Sequence, residues 1–206
     1  MSTVAEAVFG CRYLLIKSYV DILAGRGIEW GLIGPREAGR LWDRHILNSV
    51  APATLVPLGA IVADVGSGAG LPGIPLAILR PDVRVTLIEP LRRRCDFLSD
   101  AVDELGIADQ VAVVRARAEE HRGRYEVVTS RALAPLEKLV GWCNPLRSPG
   151  GSILAIKGIS AVKELGAAQT LLARKRLIGE VHHVRAHADS EITYAIRVTS
   201  STKPSG

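Results

Sequence analysis

Aromatic residues are scarce in this chain: two Phe, four Tyr and three Trp, together 4% of 206 residues. A core built without them has to be aliphatic, and Leu, Val, Ile and Ala supply most of the apolar 48%. Such a core suits a parallel sheet buried on both faces. Cysteine is rare too. Cys11, Cys95 and Cys143 are far apart and odd in number, and no C-x-x-C spacing occurs. That argues against a disulfide framework and against structural zinc, and for reduced thiols in a cytoplasmic protein that binds no metal. No apolar run reaches the roughly 18 residues of a membrane-spanning helix. The start, Met1-Ser2-Thr3-Val4-Ala5-Glu6, has neither the basic residues nor the apolar stretch of a secretion signal. Charge is only mildly unbalanced, 26 basic against 21 acidic residues for a net +5. This permits a polyanionic partner without requiring one.

At this length a single domain over 1–206 is expected. The first 55 residues read as a helical cap. Apolar residues recur at Leu14, Leu15, Tyr19, Ile22 and Leu23, a helix spacing. Gly25-Arg26-Gly27 is expected to stop that helix. A second should follow Gly34-Pro35, carry Leu41, Trp42, His45, Ile46 and Val50, and close at Pro52 and Pro57. From Ala60 the texture alternates, and 60–199 reads as an α/β core. Strands are expected over 61–65, 84–89, 111–115, 125–130 and 151–156. Helices are expected over 70–79, 92–105, 136–146 and 161–173. Two last runs, 177–186 and 192–199, are expected to pair antiparallel, and 200–206 to be disordered. Repeated βαβ units imply a mostly parallel, doubly wound sheet with helices on both faces.

In such sheets ligands bind outside the carboxyl ends of the strands. The residues at those ends are Gly66 to Gly70, Glu89, Arg117 to Glu119, Ser130-Arg131 and Lys157-Gly158, and four of the five sets carry charge. The glycines let a backbone approach a ligand closely, and Glu89 can accept hydrogen bonds from both hydroxyls of a ribose. An adenosine-containing cofactor is therefore expected. A nicotinamide fingerprint would place its third glycine where Leu71 stands. The observed spacing, Gly66-x-Gly68-x-Gly70 after Asp64, resembles the first motif of class I S-adenosyl-L-methionine-dependent methyltransferases. A nicotinamide enzyme, or glycines that only make a tight turn, remain as alternatives on this loop alone.

Two absences narrow the chemistry. The position after the fourth strand reads Thr129-Ser130-Arg131-Ala132-Leu133-Ala134-Pro135, not the [D/N]-P-P-[Y/F] loop common in amine methyltransferases. None of the cysteines lies in a loop suited to a carbon-5 pyrimidine nucleophile. An acceptor that needs no covalent activation is left. His182 and His183 lie in a strand pattern, so their rings should face opposite sides, which suits no shared metal. Trp30, Trp42 and Trp142 read as core or cap packing, with base stacking as the alternative.

Four segments together resemble one family. They are Arg44-His45-Ile46-Leu47-Asn48-Ser49 (an R-H-x-x-[D/N]-S motif), the run Val65-Gly66-Ser67-Gly68-Ala69-Gly70-Leu71-Pro72-Gly73-Ile74-Pro75-Leu76, Ser130-Arg131-Ala132, and Ala155-Ile156-Lys157-Gly158. The family is the glucose-inhibited division protein B group, bacterial small-subunit rRNA guanine-N7 methyltransferases, and the likeness runs from about Tyr19 to Thr199. It implies a class I methyltransferase, Rossmann-like and seven-stranded, that uses S-adenosyl-L-methionine to methylate N7 of one guanine in the decoding-region loop of 16S rRNA. The resemblance implies cofactor contacts at Gly66, Leu71, Ala118, Glu119 and Arg131; Gly68, Gly70 and Glu89 join them from the strand-end argument. Arg131 is expected to be catalytic, pairing with the methionyl carboxylate or an RNA group. Arg44, His45, Arg93, Arg117 and Lys157 are expected to meet rRNA, free or in the small subunit, and a monomer is expected. Two departures stand out: Gly31 replaces a family Asn, and Arg93 replaces a usual Lys, and Arg is not a free replacement for Lys at a tight contact. Besides rRNA methylation, a small-molecule methyltransferase and a non-catalytic rRNA-binding protein remain open.

Overall fold

A computed structural model of the chain describes residues 2–201. The N-terminal part holds α1 (Ser2–Phe9), a 3-10 turn (Gly10–Arg12) and α2 (Tyr13–Ile22). Ile16, Tyr19, Val20 and Ile22 are buried along one side of α2, the spacing of an amphipathic helix. Contrary to the sequence expectation, Gly25-Arg26-Gly27 does not stop this helix. The chain widens into a π-type turn over Leu23–Gly27 and stays helical through Glu29. Gly27 is buried, and its carbonyl accepts from the N–H groups of both Leu32 and Ile33. Packing and this cap offset the roughly 1 kcal/mol that each interior glycine costs. The second expected helix is a composite: a 3-10 turn (Pro35–Arg40), a π-type turn (Leu41–Leu47), α3 (Asn48–Val50) and a 3-10 turn (Ala51–Leu55). Pro52 opens the last of these rather than closing the helix, at a position where its missing N–H costs nothing.

The core follows as β1 (Ile61–Val65), α4 (Gly73–Leu79), β2 (Arg84–Ile88), α5 (Arg92–Glu104), β3 (Val111–Val114), β4 (Tyr125–Arg131), α6 (Leu136–Cys143), β5 (Arg147–Lys157), α7 (Ala161–Arg174), β6 (Leu177–Val184) and β7 (Thr193–Ser200). The seven strands form one sheet in the order β3-β2-β1-β4-β5-β7-β6. β1 to β5 are parallel, and β7 runs antiparallel to both β5 and β6. α4 starts three residues later than expected, because residues 70–72 belong to the turn that precedes it. Ser200 ends β7, and the Ser201 N–H donates to Arg176 O at 2.8 Å, so the first two residues of the expected disordered tail are ordered. Residues 202–206 lie outside the described residues.

Alternate strand residues serve opposite layers, as the two-residue period of a strand dictates. Val62, Val85, Leu87, Val127 and Leu154 pack with α1, α2, α4 and α5. Ala63, Val65, Ile88, Val128, Ile153 and Ala155 pack with α6 and α7. The cap side chains Ile16, Tyr19 and Ile46 share one cluster with Ile74, Leu87 and Phe97. Among the described residues no helix is long and apolar enough to cross a membrane.

Candidate active site

The parallel strands end on one edge of the sheet, the edge where open α/β folds bind ligands. β1 runs into a tight turn there. The N–H groups of Gly66 and Ser67 both donate to Ile88 O, at 2.9 and 3.4 Å, which locks the turn to the end of β2. Gly66 has φ +72, and a Cβ on it would stand 2.6 Å from Leu133 Cδ1. At Gly70 (φ +99) a Cβ would stand 2.5 Å from Ile74 Cδ1 and 2.9 Å from Tyr19 Oη. Both positions exclude a side chain on conformation and on space. Tyr19 Oη donates to Ala69 O at 2.7 Å, so the cap helix α2 holds the loop from the side. Beneath it, Asp64 is fully buried. Its Oδ2 accepts from Gly73 N–H at 3.0 Å, and among the described residues Oδ1 has no partner. Burial raises this carboxyl to about 7, against the pull of the Gly73 N–H and the nearby Ser67 hydroxyl, which donates to the Asp64 backbone O at 2.9 Å.

Glu89 follows β2 and is 1% exposed. Its Oε2 accepts from Gly68 N–H (3.0 Å) and its Oε1 from Leu91 N–H (3.1 Å). Arg94 Nη1 stands 3.7 Å from Oε2, an ion pair beyond hydrogen-bond distance; a carboxylate has about four acceptor sites, so capacity for two more donors remains. Beside it lies an apolar pocket of about 140 Å³, lined by Val65, Gly66, Ile88, Pro90, Ala116, Ala118 and Trp142, with Arg117, Glu119 and Leu133. Four of the sequence-predicted residues, Gly66, Arg117, Ala118 and Glu119, thus meet in one place. Among the described residues Trp142 is the one tryptophan that lines this pocket; Trp42 stacks on Tyr13 and Trp30 packs against Phe97.

A larger cleft of about 480 Å³ opens between the cap and the ends of β4, β5 and β7. Arg44, Asn48, Arg131, Lys157 and Tyr194 line it, and Leu133 lines both spaces. The loop that carries Leu133 passes through Ala132 at φ +51, a left-handed conformation uncommon for a residue with a side chain. The Arg131 guanidinium is turned toward the cap. Nη2 donates to Arg44 O (3.0 Å) and to His45 Nδ1 (3.1 Å), and Nη1 lies 3.5 Å from His45 O and from Ser49 Oγ. Burial pushes its pKa below the usual guanidinium value. Lys157 is also committed: Nζ pairs with Glu164 Oε2 (2.8 Å) and donates to Ala134 O (2.5 Å).

The remaining expected site residues divide. Gly68 and Gly70 shape the turn. Leu71 packs inward with the core layer and lines neither space. His45 sits behind the cleft wall, with Nε2 2.9 Å from Glu37 Oε2. Arg93 stands apart, exposed, its guanidinium 5.6 Å from the centre of the Trp30 ring. Sequence reasoning missed Tyr19, Glu37, Leu133 and Glu164 as parts of the site; each reaches it only through the tertiary fold. Among the described residues no three His, Cys, Asp or Glu side chains group as a metal site.

Known proteins resemble this chain in fold and in sequence. Solved structures that superpose on it include an O-methyltransferase from neocarzinostatin biosynthesis in complex with S-adenosylmethionine (TM-score 0.61, 15% identity, 80% of this chain and 55% of that one). Another is the tRNA m1G37 methyltransferase of M. jannaschii (TM-score 0.55, 18% identity, 83% and 51%). At such identities the likeness shows the fold, that of class I methyltransferases. The sequence relatives are nearer. The ribosomal RNA small subunit methyltransferase G of Nocardioides sp. is 58% identical over 174 residues, 83% of this chain and 69% of that protein. The protein of the same name from Salinispora tropica is 48% identical over 96% of this chain and 86% of its own length. Residues 12–192 match the family described as GidB, rRNA small subunit methyltransferase G, and this chain belongs to that family.

Proposed function

We propose that the chain transfers the methyl group of S-adenosyl-L-methionine to N7 of a single guanine in the decoding-region loop of small-subunit rRNA. It works in the cytoplasm as a monomer, and its partner is that rRNA or the small ribosomal subunit. The observation that carries this reading is the junction at Leu133, where an apolar pocket beside Glu89 meets an arginine-lined cleft.

The residues present fit the cofactor. Glu89 is held in place by Gly68 and Leu91 and retains free acceptor capacity for a ribose diol. Gly66 and Gly70 leave the loop backbone bare, and Ala118 and Glu119 border a space suited to a purine ring. When bound, the cofactor supplies an electrophilic methyl group. Guanine N7 has a lone pair and no proton to lose, so the protein needs no general base. Its contribution is orientation and exclusion of water. Arg131, half-buried and fixed by the cap, lines the cleft two residues from Leu133 and is the candidate catalytic residue. Exposed Arg44, Arg93 and Arg117 supply charge toward phosphates, and Lys157 fixes the 131–135 loop through Ala134 O.

The test is methyl transfer from labelled S-adenosyl-L-methionine to small subunits that lack the modification, with the product mapped by strand cleavage at N7-methylguanine. One guanine labelled in high yield is expected. Tight cofactor binding with no transfer to RNA would redirect the assignment to a small-molecule acceptor.

A further inference from the structure

We infer that Glu37 is a positioning residue for methyl transfer: through His45 it fixes how Arg131 presents its guanidinium to the cleft. The inference rests on the placement of Arg131 in the reaction proposed above.

A guanidinium carries five N–H donors and no acceptor, and it stays protonated in proteins. The 3.1 Å contact between Arg131 Nη2 and His45 Nδ1 therefore requires a lone pair on Nδ1. A neutral imidazole with that lone pair carries its proton on Nε2. Nε2 faces Glu37 Oε2 at 2.9 Å, an acceptor in the right place. The three groups thus form a one-way chain in which Arg131 donates to His45 and His45 donates to Glu37. The other tautomer would set N–H against N–H at Arg131 and a lone pair against the Glu37 carboxylate. Both contacts would then be repulsive, so the carboxylate selects the tautomer that can receive Arg131.

The surroundings agree with a neutral ring. Glu37, Arg44 and Arg131 are the charged groups around His45; Arg40 acts on Glu37, and Asp64 and Tyr19 act on Arg131. Burial lowers the His45 pKa below its usual 6.5; Glu37 opposes this, and the two arginines add to it. The bond to His45 in turn holds Glu37 below the usual carboxylate range. Glu37 Oε1 accepts from Arg44 at 3.0 Å, which keeps the carboxylate facing the ring. Glu37, Arg40, Arg44 and His45 all come from residues 35–47, whereas Arg131 ends β4.

The experiment compares wild type, Glu37→Gln and Glu37→Ala in methyl transfer to unmethylated small subunits from about pH 5 to about pH 9. S-adenosyl-L-methionine affinity is measured by calorimetry, and the His45 tautomer by nitrogen-15 NMR. The Gln amide oxygen still accepts from Nε2, so turnover should stay within about threefold of wild type, while the acid limb moves to lower pH because no carboxylate favours the imidazolium. Glu37→Ala should lower kcat about tenfold at unchanged cofactor affinity, with the Nδ1–H tautomer appearing. A merely structural role would not split the rate from the acid limb in the Gln variant. If Glu37→Ala does not fold, the Gln profile and the wild-type tautomer decide. A wild-type ring protonated at Nδ1 overturns the inference, as does a Gln variant with an unmoved acid limb. So does a folded Ala variant with the wild-type rate. A wild type that transfers nothing to RNA overturns the rRNA reading itself, and with it any part for Glu37 in that reaction.

Discussion

Leu133 lies directly on Gly66: a Cβ at residue 66 would stand 2.6 and 2.7 Å from the two Leu133 methyl carbons. The contact joins the loop after β1 to the loop after β4 at the point where the two spaces meet. Gly66→Ala pays twice, for φ +72 and for the overlap. It should cost about 2–3 kcal/mol of stability in wild type, but only about 1 kcal/mol in a Leu133→Ala background, where the conformational strain alone remains. Urea denaturation of the four proteins reads the difference. Equal costs in both backgrounds would show that the two residues do not touch in solution.

Glu89 holds the glycine loop and is the proposed acceptor for the cofactor's ribose. In Glu89→Ala the Gly68 and Leu91 N–H groups lose their acceptor. Affinity for S-adenosyl-L-methionine should fall roughly 10- to 100-fold, as loss of charge-assisted hydrogen bonds implies. Glu89→Gln should not rescue it, because the amide NH₂ must then face a backbone donor. Unchanged affinity in titration calorimetry, for a folded Ala variant, would remove Glu89 from the cofactor site.

Asp64 makes stability depend on pH. Its folded-state pKa of about 7 lies above the ordinary 3.8. Between those values the native state keeps a proton that the unfolded chain has lost, so stability falls as pH rises from about 4 to about 7 and then levels off. The full drop is roughly 4 kcal/mol at most. Asp64→Asn keeps an acceptor for Gly73 and cannot ionise. Chemical denaturation at about pH 5 and pH 8 should show a flatter profile for the variant. A variant as pH-sensitive as wild type would place the titration elsewhere.

The basic residues should separate by their surroundings. Arg93→Ala and Arg117→Ala each remove an exposed charge and should lower the slope of log affinity against log salt by about 1 on small-subunit rRNA. Lys157→Met removes an ammonium already paired with Glu164. It should leave that slope nearly unchanged and lower thermal stability, because Glu164 loses its partner. Filter binding at several salt concentrations checks the first pair and thermal melts the second. A salt slope for Lys157→Met that matches the arginine variants would show that its ammonium reaches phosphate.

Much of this could be read from local pattern. The strand 61–65 coincides with β1, and the antiparallel pairing of the last two runs is observed, because both follow from short-range alternation. The insertion of β7 between β5 and β6 is a matter of long-range pairing that no local pattern encodes. The cap is least legible in the sequence. Its helices depart from 3.6 residues per turn at Leu23–Gly27 and Leu41–Leu47, and in the first of these burial of Leu23 and Gly27 overrides what the glycines alone would dictate. The family motifs pointed to Arg131 and His45, but nothing in the sequence points to Glu37. Its role exists only because the cap brings it within reach of His45.

Tyr19 is separated from Ala69 by 50 positions, yet its hydroxyl holds the carbonyl at the heart of the glycine loop. Grafted onto another α/β core without α2, the same glycines would make a slack turn. The recognisable signature spells only half of the cofactor loop, and the other half is written in a helix that carries no signature at all.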